Sequence, residues 1–208
     1  MQADIVIIGA GPPGLSLAGV LARKGLKIAI IDPAGADDLE QPRDDCREIA
    51  LTRLSRELLE QWRQWQLLPD TDYAPLVEAQ VFDGASERPM QIQSRNGLDP
   101  LGWMVSNQAL RRVAYAAAKD LDGIAWHLSR RMNRIDINED AARVELDDGS
   151  CITARLTIAA DSRFSSARRA AGLSARMHDF GRTMLVCRMQ LQKPVSGVAW
   201  EWLDYGQT

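Results

Sequence analysis

Cysteine is scarce in this chain: Cys46, Cys151 and Cys187 lie far apart and are odd in number, which argues against a disulfide framework and against a cysteine-based zinc site. Histidine is scarcer still. His127 and His178 are isolated, so each is expected to be structural or solvated rather than an acid–base catalyst, and no Ser-His-Asp set is visible. No apolar run approaches the ~20 residues that span a bilayer. The amino end lacks the basic start, apolar stretch and cleavage site of a secretory signal, and a reducing cytoplasm is the expected compartment. Basic charge is not in excess either: the net charge is -3, which leaves no stripe for nucleic-acid phosphates and makes nucleic acid an unexpected partner.

What is present is the balance of a folded protein, with 46% hydrophobic and 25% charged residues over 208 positions, enough for one large domain or one and a fragment. The run Asp4 to Ile8 is almost wholly apolar, as expected of a parallel strand covered on both faces. Gly9, Gly11 and Gly14 follow at once in the spacing G-x-G-x-x-G. Each glycine has its own task there: a tight turn, close approach of backbone to a diphosphate, and close packing of helix on strand. Pro12 and Pro13 suit a first helical turn, and Gly14, Ala18, Leu21 and Ala22 recur at helical spacing. Gly25 is placed to end that helix.

A second strand, Lys27 to Ile31, ends in Asp32, 23 residues after Gly9. That is close to the ~20-residue spacing at which a carboxylate meets the ribose hydroxyls of a dinucleotide. An acid there repels a 2′-phosphate, so the expected ligand is FAD or NAD rather than NADP. For Asp32 alone, a solvated acid at a strand end remains the alternative. Fifteen glycines in 208 residues could produce the glycine spacing by accident, and it is the ordered set of strand, glycines, small-faced helix, strand and acid that carries the assignment.

Further along, Leu51, Leu54, Leu58, Leu59 and Trp62 keep a helical period within Ile49 to Trp65. Pro75 to Gln93 reads as two strands around Asp83-Gly84. A helix is expected to begin at Asn107 or Gln108, with strands at Ala125 to Leu128, Arg134 to Ile137 and Arg143 to Leu146, and a hairpin turn at Asp148-Gly149. The run Ile152 to Ala160 reads as a strand returning to the parallel sheet. Thr183 to Gln192 and Val198 to Tyr205 read as two more strands.

After that returning strand stands Asp161-Ser162-Arg163-Phe164-Ser165-Ser166-Ala167-Arg168, and here the chain resembles the FAD-dependent aromatic hydroxylases, closest to those of ubiquinone biosynthesis. Asp161, Ser165 and Arg168 match the family pattern D-G-x-x-S-x-v-R. Further similar pieces are Asp4 to Asp32, Arg47 to Leu51 with Ser55 and Trp65, and the helix start at Asn107-Gln108. Two positions depart from the pattern. Ser162 stands where the family has glycine, and Arg63 stands where a glycine usually precedes Trp65, which predicts a different helix end.

The resemblance implies an α/β fold: a Rossmann-type FAD-binding parallel sheet, a small antiparallel β-meander and part of a substrate-domain β-sheet. It implies an FAD-binding domain over residues 1–182, with 73–104 lending strands to the substrate domain, and the start of that domain's sheet over 183–208. By the same resemblance Gly9, Gly11, Gly14 and Asp32 bind FAD, Arg47 contacts its phosphates on the flavin side, and Asn107 or Gln108 approaches the ribityl chain. Asp161 supports the diphosphate region and helps receive NAD(P)H. Read without the resemblance, Arg47 among Asp44, Asp45 and Glu48 is a surface ion-pair partner worth only ~0 to 1 kcal/mol.

The implied activity is hydroxylation of a small-molecule aromatic ring, a prenylated phenol or quinol, using FAD, NAD(P)H and O2. A lipid-tailed substrate implies loose contact with the inner face of a membrane. The family's second flavin-binding glycine–aspartate motif is not found after Arg168, so the expectation is a truncated chain. The alternative is a non-catalytic FAD-binding fragment with a structural or assembly role. Of the six tryptophans, Trp103, Trp200 and Trp202 are the better candidates for a ring-stacking pocket because they fall in the presumed substrate sheet, with packing still the favoured role.

Overall fold

The structure, a computed structural model, describes residues 1–94, 99–193 and 197–204. The chain opens with β1 (Gln2–Ile8), α1 (Pro12–Ala22), β2 (Ile28–Asp32) and α2 (Ala36–Glu40). There follow β3 (Glu48–Thr52), α3 (Arg53–Gln61), β4 (Tyr73–Leu76), β5 (Glu78–Asp83), β6 (Met90–Gln93) and β7 (Gly102–Ser106). After α4 (Asn107–Ala118) come β8 (Ile124–Leu128), β9 (Met132–Ile137), β10 (Ala142–Leu146), β11 (Cys151–Ala159), α5 (Ser166–Ala170) and β12 (Val198–Leu203). These elements form two compact units, one from Met1–Arg43 and Leu110–Met184, the other from Asp44–Ala109 and Leu185–Thr208.

The first unit is built on a sheet of order β8-β2-β1-β11-β10-β9. Its first four strands run parallel, and β9, β10 and β11 form an antiparallel meander, which is the mixed α/β architecture the sequence predicts. Residues β1 and β2 supply to the sheet are apolar on both faces because both faces are covered: Val6, Ile7, Ile28, Ala29 and Ile30 have no exposed surface. One face packs Ile5, Ile7, Ile28 and Ile30 against α1 through Leu15, Ala18 and Ala22, with Ala114 and Tyr115 of α4. The other packs Val6, Ile8, Ala29 and Ile31 against Val144, Leu146, Ile152 and Ala167. Fully burying one such aliphatic side chain is worth about 1.5–3 kcal/mol, so this two-sided core fixes where the ends of β1, β2 and β11 lie.

Helix α1 starts with Pro12 and Pro13 behind the cap residue Gly11. It ends as expected at Gly25, whose φ of 84° allows the Leu26 amide to donate back to the Leu21 carbonyl, closing the last turn.

The second unit holds two three-stranded sheets, ordered β3-β7-β4 and β12-β5-β6. Three expectations are corrected within these elements. The helical period over Ile49 to Trp65 overreaches, because Glu48–Thr52 pairs antiparallel with β7 and the helix begins only after Thr52, whose side chain accepts the Ser55 amide. Helix α3 does not end differently for want of glycine. Arg63 takes φ 61°, and the Gln64 amide donates to the Leu59 carbonyl at 2.8 Å, the closure a glycine usually provides. Thr183 to Gln192 forms no strand among the described residues and is exposed throughout, since no neighbouring strand completes its backbone hydrogen bonds. The expected strand from Val198 is β12, pairing in parallel with β5, while its expected end at Tyr205 lies outside the described residues.

Candidate functional site

The three glycines of the first loop are glycines for two different reasons. A Cβ on Gly9 would sit 2.4 Å from the Ala160 carbonyl oxygen, and one on Gly14 would sit 2.1 Å from the Gly9 carbonyl oxygen. Neither contact is tolerable, and Gly9 also holds φ 112°. These two are dictated by the fold itself. Gly11 is not: its φ is −74°, and the nearest atom to an added Cβ is Pro13 Cδ at 3.8 Å. Nothing in the protein forbids a side chain there.

Gly11 lies in the wall of a cleft of about 440 Å³ within the first unit. The cleft opens where β1, β2 and β11 end, a usual position for ligands in parallel sheets. Its walls include Gly9, Gly11, Asp32, Ala160, Asp161 and Ser162. Space kept free at Gly11 is therefore space for something that approaches the backbone closely. Pro12 and Pro13 carry no N–H, so the amides at this helix mouth are those of Gly11 and Gly14, set at the positive end of an 11-residue helix that favours anions. The donor set and the shape both fit a diphosphate of a dinucleotide such as FAD.

Asp32 reaches this loop directly. Its Oδ2 accepts the Ala10 amide at 2.6 Å and its Oδ1 the Ala34 amide at 2.8 Å, while the Gly9 amide donates to the Ile31 carbonyl at 2.8 Å. An ionised carboxylate offers about four lone-pair sites, which leaves acceptors for hydroxyl groups in the cleft after both tethers are made.

Asp161 begins the segment after β11. Its carboxylate accepts the hydroxyls of Ser165 and Ser166 and the Ala167 amide, and Ser165 in turn accepts the Arg168 amide at 2.9 Å. Partial burial pushes the Asp161 carboxyl up, and the hydrogen bonds from Ser165, Ala167 and Ser166 outweigh it, so the group settles below the ordinary carboxylate range. Between Asp161 and α5, Ser162 holds φ 75°, the left-handed conformation for which glycine is suited and serine is not.

Arg47, Asn107 and Gln108 all belong to the second unit. There Asp45 gathers the first two: Arg47 donates from Nε at 2.8 Å and Nη2 at 2.6 Å, and Asn107 Nδ2 donates at 2.8 Å. The Arg47 guanidinium holds the Asp45 carboxyl at about 2 against the opposing effect of burial, with help from Asn107. The Asn107 amide also donates to the Arg47 carbonyl. Both residues thus sit in one exposed cluster whose hub, Asp45, the sequence marked only as a neighbouring acid. Arg188 makes a similar pair of contacts with Asp44 and Glu48.

The remaining chemistry-bearing side chains are elsewhere. His127 lies on β8, where burial lowers its pKa and its Nε2 finds no hydrogen-bond partner among the described residues. His178 is exposed against the Phe180 ring. Trp126 packs edge-on to Tyr115, and Arg56 lies over both Trp65 and Trp103. Trp202 stacks on Phe82 with ring centres 4.5 Å apart. Among the described residues no cluster of His, Cys, Asp and Glu could hold a metal ion, and no helix is long and apolar enough to cross a membrane.

Comparison with known proteins bears on the cofactor class. The family described as FAD binding domain matches residues 2–205. The chain is 39% identical over its whole length to the ubiquinone hydroxylase UbiM of Neisseria meningitidis, and 30% identical over 96% of its length to the ubiquinone hydroxylase UbiL of Rhodospirillum rubrum. It spans 46% of the length of each. Among solved structures, PqsL of Pseudomonas aeruginosa aligns with a TM-score of 0.71 at 18% identity, over 86% of this chain and 48% of that one. The p-nitrophenol 4-monooxygenase PnpA of Pseudomonas putida aligns with a TM-score of 0.69 at 16% identity, over 83% and 44%. At such identities these two speak for the fold.

Proposed function

The chain belongs to the FAD-binding-domain family, and from that premise we propose that it is the cofactor-holding part of an FAD-dependent monooxygenase acting on an aromatic ring. The proposed substrate is a prenylated phenol or quinol of ubiquinone biosynthesis, with NAD(P)H as reductant and O2 as co-substrate. The similarity to two ubiquinone hydroxylases supports that class. The single observation that carries the cofactor assignment is Gly11: a glycine the fold does not require, facing the cleft.

In this reading the Gly11 and Gly14 amides hold the diphosphate, Gly9 brings the end of β11 against the loop, and Asp32 accepts the ribose hydroxyls through its remaining lone pairs. Asp161 keeps the segment from Ala160 to α5 in place beside the diphosphate and helps receive NAD(P)H. Arg47 carries the planar fork suited to a phosphate, and Asn107 or Gln108 the amide suited to ribityl hydroxyls. Bound FAD supplies the redox and oxygen chemistry, and the protein orients the partners and excludes water. A lipid-tailed substrate would bring the protein into loose contact with the cytoplasmic face of a membrane. The non-catalytic alternative is not favoured, because the two relatives from Neisseria meningitidis and Rhodospirillum rubrum are named as hydroxylases.

The test uses the intact protein. It is expected to purify with, or take up, FAD, to lose it in Gly11→Val, and to oxidise NAD(P)H faster when given a prenylated phenol. A protein that holds FAD in wild-type form but consumes neither reductant nor oxygen with any phenol would remove the hydroxylase reading.

A further inference from the structure

Among the described residues that line the cleft, Arg131 is the basic one, and neither motif nor spacing in the sequence points to it. Its backbone is fastened on two sides. The Ser129 amide donates to the Ala34 carbonyl at 3.0 Å and the Arg130 amide to the Asp32 carbonyl at 3.1 Å, just past β2. On the other side the Asp147 amide donates to the Arg131 carbonyl at 2.9 Å, and Arg130 is ion-paired with Asp148 at 2.8 Å. Ser129 takes φ 55° within this crossing.

The two neighbouring arginines divide their work. Arg130 is engaged with Asp148, whereas the Arg131 guanidinium has no hydrogen bond or ion pair among the described residues. It lines the cleft with Asp32, Pro33 and Met132, on a segment whose Arg130 amide is bonded to the Asp32 carbonyl. If the diphosphate lies at the α1 mouth and the ribose at Asp32, the wall beyond Asp32 faces the adenine side. A guanidinium suits that place, because it lies flat on aromatic faces and is attracted to them.

We infer that Arg131 is a specificity-determining residue that engages the adenosine half of the dinucleotide and so selects FAD over a flavin that lacks adenosine. This rests on the function proposed above. The experiment titrates FAD into flavin-free intact protein by fluorescence, then repeats it with ADP as competitor, for wild type, Arg131→Ala and Gly11→Val. Arg131 is exposed, so its truncation leaves the fold intact, which circular dichroism checks. The expected result is about a tenfold loss of FAD affinity in Arg131→Ala and an equal loss of ADP affinity. Unchanged FAD affinity, or an FAD loss with ADP unaffected, overturns the inference. If Gly11→Val abolishes binding while Arg131→Ala leaves it alone, the cofactor reading stands and only Arg131 falls. A wild-type protein that binds no FAD defeats both.

Discussion

Asp32 Oδ2 stands 2.6 Å from the amide nitrogen of Ala10, so the acid that ends β2 holds the middle of the glycine loop through a bond that only an acceptor can make. Asp32→Asn puts an amide donor against one of two N–H groups and leaves a partner unmet. Leaving such a group unsatisfied costs about 1–3 kcal/mol. Urea unfolding of the flavin-free intact protein should show that loss, and FAD affinity should fall with it. Stability equal to wild type would mean that the tether is not what orders the loop.

The glycines separate structure from binding. Gly14→Ala places a methyl group 2.1 Å from the Gly9 carbonyl oxygen, an overpacking expected to cost about 1–3 kcal/mol whether or not FAD is present. Gly11→Ala meets nothing closer than 3.8 Å and is expected to leave flavin-free stability within about 1 kcal/mol of wild type. Its FAD affinity should fall at least about tenfold. The pair is read by thermal unfolding with and without FAD. A destabilised Gly11→Ala with normal affinity would show that the space at Gly11 serves packing.

Ser162 and Arg63 hold φ of 75° and 61°, where an L side chain costs roughly 1–2 kcal/mol and glycine almost nothing. Ser162→Gly and Arg63→Gly should each raise the melting temperature by about 2–4 °C. A fall at either position would mean that the side chain makes a compensating contact stronger than the strain. Ser162→Gly should also leave FAD affinity unchanged, since the backbone already has the form that glycine prefers.

These two positions also show why part of the molecule was legible from its residues and part was not. The sheet from β1 to β11 is written in local signals: an apolar run, three spaced glycines, a glycine at a helix end, and the Asp148-Gly149 turn. Helix α3 ends in the form a glycine would give although Arg63 replaces it, because the Leu59 carbonyl still needs a donor and Gln64 supplies it. Glu48–Thr52 shares its apolar spacing with a helix, and only the partner strand β7 decides for the strand. Arg131 carries no local signal at all. Its place follows from the bond of the neighbouring Arg130 amide to the Asp32 carbonyl and from that of the Asp147 amide to its own carbonyl, Asp32 and Asp147 both being distant in sequence.

The Asp161 carboxylate provides a pH test. Its folded pKa lies below the ordinary range, burial being outweighed by the hydrogen bonds from Ser165, Ala167 and Ser166. The group therefore binds protons more weakly in the native state than in the unfolded chain. Its stabilising contribution is complete above the unfolded carboxylate value of roughly 4 and is lost as pH falls from there through the lower native value. Asp161→Asn removes the charge, so the variant should be less stable than wild type at pH 7, and the gap should narrow as both are titrated below about pH 4. Other carboxylates titrate in the same window and cancel in the comparison, which leaves the difference between the two curves as the quantity to measure. A gap that stays constant from pH 7 into acid would mean that Asp161 acts through packing rather than as the ionised anchor of Ser165, Ser166 and Ala167.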